Sequence, residues 1–199
     1  MTRQSQTRIL FVRAVNVGGV ALPMQEFRTL LAELGGVDVR TYIASGNAIV
    51  RVPGDSDAFD RAVEREMTNR FGWFREVISR TPEEVEEALT AYPFEVPVAK
   101  YAYITFLAGT PETAGFNAAL TIDTGDDMWQ LAGRDLYIRY AQGAGKANPG
   151  INKVMRRLGV PGTARKSQYG AQCARAGEGF LLKRRTTAVS LAGVQWHSR

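Results

Sequence analysis

The sequence predicts an α+β protein of two split-βαβ plaits in tandem, with antiparallel-rich sheets. Three observations predict it. Apolar patterning over the first part reads strand, helix, strand, strand, helix, strand. A connector marked by two prolines follows, and a second run of patterns beyond it repeats that order of elements. The 199 residues, 45% of them hydrophobic, suffice for one large domain or two small ones, and two is the reading adopted.

Each element has a local reason. Arg8 to Val15 holds the run Ile9 to Val12, the mark of a buried strand. Pro23 to Leu34 puts Met24, Phe27, Leu30, Leu31 and Leu34 on one helical face, and Gly35-Gly36 ends it. Asp38 to Ala44 and Ala48 to Val52 are two β runs around Ser45-Gly46-Asn47, which suits a turn or bulge with positive φ and so a hairpin. Asp57 to Phe71 repeats apolar residues at Phe59, Val63, Met67 and Phe71, and Trp73 to Ser79 alternates as a closing strand. Thr81 as N-cap, Pro82 at the first position and Glu83 and Glu84 in the first turn open another helix, whose acids read as solvated surface. The connector Tyr92 to Pro97 sets a boundary, so the expected domains are 1–97 and 98–165, with 166–199 as an atypical basic tail. In the second domain Lys100 to Ala108 is a strand, Pro111 to Leu120 a short helix, and Asp127 to Leu131 with Leu136 to Tyr140 a pair of β runs. A loop with Gly143 and Gly145 then leads into the helix Ile151 to Leu158.

Composition excludes several chemistries. No apolar stretch is long enough to span a membrane, and Met1 to Thr7 lacks the apolar core of a signal peptide, so a cytoplasmic location and no membrane partner are expected. One cysteine, Cys173, makes no internal disulfide. With one histidine, His197, there is no His/Cys metal cluster and no Ser-His-Asp triad, so neither a metal nor a cofactor is expected. The net charge of +5 invites a nucleic-acid reading, but its location weakens it. Residues 1–98 carry 11 Lys/Arg against 14 Asp/Glu and residues 99–199 carry 14 against 6. Residues 1–165 hold 19 of each sign, so the whole excess lies in Lys166 to Arg199.

Two candidate anion sites remain. In the first, Arg13, Asn16, Gly18 and Gly19 lead from a strand through a glycine turn to a helix start. The glycines permit a tight turn or close approach to a ligand, and Arg13 and Asn16 supply donors. Any compact β-to-α connection needs the same chemistry, and that is the simpler account. Ser45, Gly46 and Asn47 would complete the site if the two loops converge, which the strand order alone does not guarantee. The second candidate gathers Arg139, Gly143, Gly145, Lys146, Asn148, Lys153 and Arg165, with glycines ahead of a helix. It has no Walker or dinucleotide pattern, and Arg156 and Arg157 read as a solvated helix face. Asp123, Asp126 and Asp127 lack a clear partner, and no nucleophile sits with a base. Tyr101, Tyr103, Trp129, Tyr137 and Tyr140 would stack bases only on an open sheet.

Three blocks in order resemble a known family. Arg13-Ala14-Val15-Asn16-Val17-Gly18-Gly19, Pro23-Met24 with its leucine-rich helix, and Val39-Arg40-Thr41-Tyr42-Ile43-Ala44-Ser45-Gly46-Asn47 are similar to the signatures of the bacterial domain of unknown function 1697 family. Ala14, Val15 and Ala44 depart mildly from its pattern. The resemblance covers residues 8 to about 165 and implies a duplicated ferredoxin-like plait, with no assigned substrate or mechanism. Agreement stops at Arg165, where the family continues Asn-Trp-Asn-Thr-Val and this chain reads Lys166-Ser167-Gln168-Tyr169-Gly170. Synonymous codons exist under which reading one base later restores Asn-Arg-Asn-Thr and permits Val. A frameshift near Arg165 is therefore the expectation for 166–199, checked by the gene's nucleotides. The alternative is a functional basic tail in which Lys183, Arg184 and Arg185 touch RNA or an acidic partner.

The functional expectation is a protein that binds a phosphorylated small molecule, nucleotide or RNA through glycine loops and arginines. An enzyme acting on such a ligand, with Arg13 stabilising charge and Ser45 or a bound water in the chemistry, is the alternative, beside a protein-interaction module. Monomer and homodimer both stay open.

Overall fold

A computed structural model describes residues 5–16, 21–42, 46–95 and 98–166. Among the described residues, eight strands form two four-stranded antiparallel sheets. The first contains β1 (Gln6–Val12), β2 (Val37–Tyr42), β3 (Asn47–Val52) and β4 (Val77–Arg80), in the order β2-β3-β1-β4. The second contains β5 (Ala102–Leu107), β6 (Met128–Ala132), β7 (Asp135–Arg139) and β8 (Gly162–Lys166), in the order β6-β7-β5-β8. Helices α1 (Met24–Glu33) and α2 (Ser56–Phe71) connect strands of the first sheet, α3 (Pro82–Thr90) links the sheets, and α4 (Thr113–Leu120) and α5 (Pro149–Leu158) belong with the second.

The apolar run in β1 is explained by burial on both faces. Leu10 and Val12 point to one side, where Phe27, Leu30 and Leu31 of α1 and Phe59, Val63 and Met67 of α2 cover them. Ile9 and Phe11 point to the other, where they meet Ile104, Phe106 and Tyr137 of the second sheet and Val85 and Ala88 of α3. The sheets thus pack face to face. On the far side of the second sheet, Leu136 and Ile138 are covered by Ala119 of α4 and Ile151, Val154 and Leu158 of α5. Phe11 and Phe106 stack across the seam with ring centroids 4.9 Å apart and planes 7° from parallel. Burying such a side chain fully contributes roughly 1.5–3 kcal/mol.

Local chemistry sets the element ends. Asp55 caps α2 by accepting from Asp57 N, and Gly72 ends it in a left-handed conformation. Thr81 and Glu84 form a reciprocal capping box on α3, with Pro82 inside its first turn. The hairpin β2-β3 starts from Gly46 at φ 70°, and the bulge lies further along, between Val37 and Arg40, with Asp38 at φ 60°. Asn47 is a strand residue opposite Phe11, so it is Gly46 and not Asn47 that takes the left-handed conformation. A side chain at Gly46 would come within 2.4 Å of Val15 Cγ2 and 3.1 Å of Val12 Cβ.

Three elements differ from the expectation. The closing strand of the first sheet covers only Val77–Arg80, because Trp73 stacks on Phe71 at 5.4 Å instead of entering the sheet. A 3-10 turn, Ala99–Tyr101, takes the start of the expected strand at Lys100. The sequence reading assigned no strand after α5, yet β8 pairs with β5 along its length and extends through Lys166.

Candidate functional site

The described ends of the two loops of the first candidate site lie side by side. β1 and β3 are hydrogen-bonded neighbours, and Val12 N donates to Gly46 O at 2.8 Å, just where β1 ends and the turn before β3 is completed. Beyond Val12 the chain takes left-handed conformations at Ala14 (φ 50°) and Asn16 (φ 56°), a strained path for alanine. The Asn16 side-chain oxygen accepts from Leu22 N at 3.0 Å and so tethers the entry to α1. Gly18, Gly19 and Ser45 lie outside the described residues.

β8 brings a third strand to this point, and with it Arg165. Its Nε donates to Asn47 Oδ1 at 2.8 Å, one Nη donates to Thr163 Oγ1 at 2.6 Å, and the guanidinium lies 5.2 Å over the Phe11 ring. Arg13 crosses the same seam: its Nε donates to Gly162 O at 3.1 Å, and its Nη1 pairs with Glu76 at 3.2 Å. Arg75, adjacent, donates to Ala14 O at 3.3 Å. This end of the seam therefore gathers the guanidinium groups of Arg13 and Arg165 with the Glu76 carboxylate among the described residues.

The opposite end holds a matching arrangement that sequence reasoning missed. Arg80 of β4 is 2% exposed, donates to Leu107 O at 2.9 Å and lies 5.5 Å over the Phe106 ring. Register makes the two arginines correspond. Arg80 stands opposite Ile9, as Arg165 stands opposite Ile104, and each reaches across to the phenylalanine of the other sheet, Arg80 to Phe106 and Arg165 to Phe11. Phe11 pairs with Asn47 and Phe106 with Asp135, so asparagine and aspartate occupy the matching positions. Asp135 lies 3.5 Å from Arg80, and Arg134 beside it pairs with Glu84 at 3.1 Å. Burial, then the charge of Arg134, pushes the Arg80 pKa down, while burial pushes that of Asp135 up. An arginine ending the short strand Val77–Arg80 was the available signal.

The second candidate site is redistributed. Arg165 belongs to the seam with Asn47. Arg139 donates to Asp126 O at 3.4 Å, and Lys146 and Lys153 are exposed. Of the three acids expected to lack a clear partner, Asp123 and Asp127 have one. Asp127 is buried and accepts from Ala141 N at 2.8 Å and Asn148 N at 2.7 Å, clamping both ends of the glycine loop, while Asp123 accepts from Gly125 N at 2.8 Å. Among the described residues no group of three metal-ligating side chains occurs. Tyr137 and Tyr140 are buried and both sheet faces are covered, so these two rings present no open stacking surface.

A separate buried network lies between β1, β4 and α2. Ser79 Oγ donates to Asp60 Oδ2 at 2.6 Å and accepts from Arg8 at 3.0 Å, all three residues being buried. Burial pushes the Asp60 carboxyl up to about 6, against the opposing pull of Ser79 and Arg8. One turn on, Glu64 accepts from Val77 N at 2.8 Å and pairs with Arg61 at 2.7 Å, its pKa also raised by burial.

These features define a mixed α/β protein of two packed antiparallel sheets, and among the described residues no helix is long and apolar enough to cross a membrane. The chain belongs to the DUF1697 family, proteins of unknown function, whose pattern matches residues 5–137. A solved structure of the conserved bacterial protein SP0830 from Streptococcus pneumoniae shares the fold at 18% identity, with a TM-score of 0.67 over 88% of this chain and 99% of that one. A protein provisionally described as a glycine cleavage system transcriptional repressor aligns at 12% identity and a TM-score of 0.23, over 81% of this chain and 96% of that one. No functionally curated protein matches the chain.

Proposed function

We propose that the chain is a cytoplasmic binding protein of two tandem ferredoxin-like plaits, which takes a small phosphate- or carboxylate-bearing ligand at the seam end formed by Arg13, Gly46, Asn47 and Arg165. The matching strand orders and the matching positions of Phe11 and Phe106 support the repeat. The observation that supports the binding reading is the meeting of the β1 end, Gly46 and Asn47 before and in β3, and β8 around the guanidinium groups of Arg13 and Arg165. Arginine is suited to such ligands because its planar donors match carboxylate and phosphate oxygens. The test is titration with inorganic phosphate followed by 31P line broadening. Saturable binding weakened in Arg13→Ala is expected, and equal binding by both chains overturns the reading. A steep loss of affinity with rising salt would point to a polyanion such as RNA, and turnover in a metabolite screen to an enzyme.

One observation favours a second reading. The hydrogen bonds described for Arg165 end on Asn47, Thr163, Ala164 and Val12, which suits a latch between the two sheets. As a latch alone, Arg165→Ala would lower stability and leave phosphate titration featureless in both chains.

A further inference from the structure

Each sheet ends in two outer strands, and among the described residues three of these edges are closed to further pairing. β2 carries the bulge between Val37 and Arg40, with Asp38 left-handed. At β4, Glu64 accepts from Val77 N at 2.8 Å and Arg61 donates to Val77 O at 2.9 Å. At β8, Arg13 donates to Gly162 O at 3.1 Å and Arg165 to Ala164 O at 2.9 Å. The edge of β6, Met128 to Ala132, has no charge, no proline and no bulge, and among the described residues no side chain bonds its outer backbone groups. Leu107 N donates to Arg134 O at 2.9 Å, so alternation along β7 turns the backbone groups of Leu136 and Ile138 to β5 and those of Asp135, Tyr137 and Arg139 to β6. Their partners Ala132, Gln130 and Met128 therefore bond inwards, and Trp129 and Leu131 hold their N–H and C=O groups outwards. Apolar groups flank this edge. Trp129 meets Phe116 of α4 edge to face at 6.3 Å, exposed Leu120 lies one turn further along α4, and Met128 is exposed on the other face of the strand.

We propose that β6 is a self-association edge, at which a second copy of this chain adds its own β6 antiparallel about a two-fold axis through Gln130, joining the two second sheets into one continuous sheet. In that register Trp129 of one copy exchanges hydrogen bonds with Leu131 of the other, and the reverse, which uses the outward groups of the strand. Gln130 meets its own copy on the axis and Met128 meets Ala132, so no like charges face each other within the strand. Past the strand ends, exposed Asp126 comes towards Arg134 of the second copy, whose guanidinium is partly exposed beside Glu84. Symmetry repeats that opposite-charge pair at the other rim. The segment from Asp126 to Arg134 is thus complementary to itself, which singles out a second copy over an unrelated peptide strand.

The experiment is sedimentation velocity of the full chain over a concentration series, beside Gln130→Lys, after thermal melting has checked that each is folded. Gln130→Cys and Ala132→Cys are made in a Cys173→Ser background, which removes the chain's one native cysteine. The expected result is a concentration-dependent dimer whose dissociation constant rises about tenfold or more in Gln130→Lys, where two ammonium groups face each other across the axis. Under mild oxidation Gln130→Cys should link into a disulfide dimer, because a non-hydrogen-bonded cross-strand pair brings its Cα atoms to about 4.5 Å, within disulfide reach. Ala132→Cys should not, since its thiols stand opposite Met128 and not each other. A chain that is monomeric at every concentration overturns the proposal, whether β6 is bare or covered by residues 167–199. A dimer that Gln130→Lys does not weaken and Gln130→Cys does not cross-link overturns it too, since its contact lies elsewhere. If Gln130→Lys does not fold, the two cysteine variants decide.

Discussion

Asp60 offers a test of how burial and charge are balanced in this fold. Its carboxyl lies in the interior between α2 and the first sheet and titrates at about 6 instead of 3.8, because desolvation outweighs the favourable pull of Ser79 and Arg8. A folded-state pKa above the unfolded one means that the folded chain takes up its proton first. Stability therefore rises as pH falls through about 6, and the gain is complete below about 3.8. A shift of roughly two units corresponds to about 3 kcal/mol between the two ends of that window. Asp60→Asn keeps the shape and an acceptor for the Ser79 hydroxyl but cannot titrate. Urea unfolding of both chains between pH 4 and pH 8 is the assay. The variant should be the more stable at pH 8, by up to about 3 kcal/mol less whatever Arg8 contributes to the carboxylate, and its advantage should vanish on acidification. Glu64 and Asp135, whose pKa values are also raised, titrate in both chains and cancel from the difference. A difference that stays constant across the range refutes the argument.

Other perturbations have equally definite outcomes. Gly46→Ala forces a side chain into a left-handed residue and against Val15 and Val12, and should cost about 2–4 kcal/mol in the denaturation midpoint. Asp127→Ala strands the half-buried amides of Ala141 and Asn148 and should cost about 1–3 kcal/mol, with faster hydrogen exchange at those two amides. Phe11→Ala should cost about 3–5 kcal/mol, and a double-mutant cycle with Phe106→Ala should return a coupling near 1 kcal/mol from the stack. Arg13→Ala breaks a pair that is partly solvent-exposed and should change stability by less than about 1 kcal/mol, whatever it does to phosphate binding.

Much of the architecture was legible because local signals agreed with it. The Thr81-Pro82-Glu83-Glu84 start became a capped helix, and the apolar positions of α1 and α2 became the cover of the first sheet. β8 escaped because Gly162 to Lys166 holds no apolar alternation; a small, partly polar strand closes the sheet edge there. The run Ile9 to Val12 already announced burial on both faces, but only three-dimensional packing says that the second face is covered by another sheet. The site divides in the same way. Arg13, Gly46 and Asn47 were read from turn chemistry, and Arg165 as part of the second, basic candidate site. Glu76 opposite Arg13 and Asp135 opposite Arg80 depend on strand register, which no spacing along the chain reveals.

The Phe11–Phe106 stack also bears on how the chain is made. A first half emerging alone would present Ile9, Phe11, Ile49 and Ile78 to water as one sticky surface until its counterpart arrives. Arg165 must then travel back over 118 positions to reach Asn47, so closure waits for the last described strand. Contacts of such span slow folding, and during that delay a second copy's uncovered sheet could take the place of the chain's own.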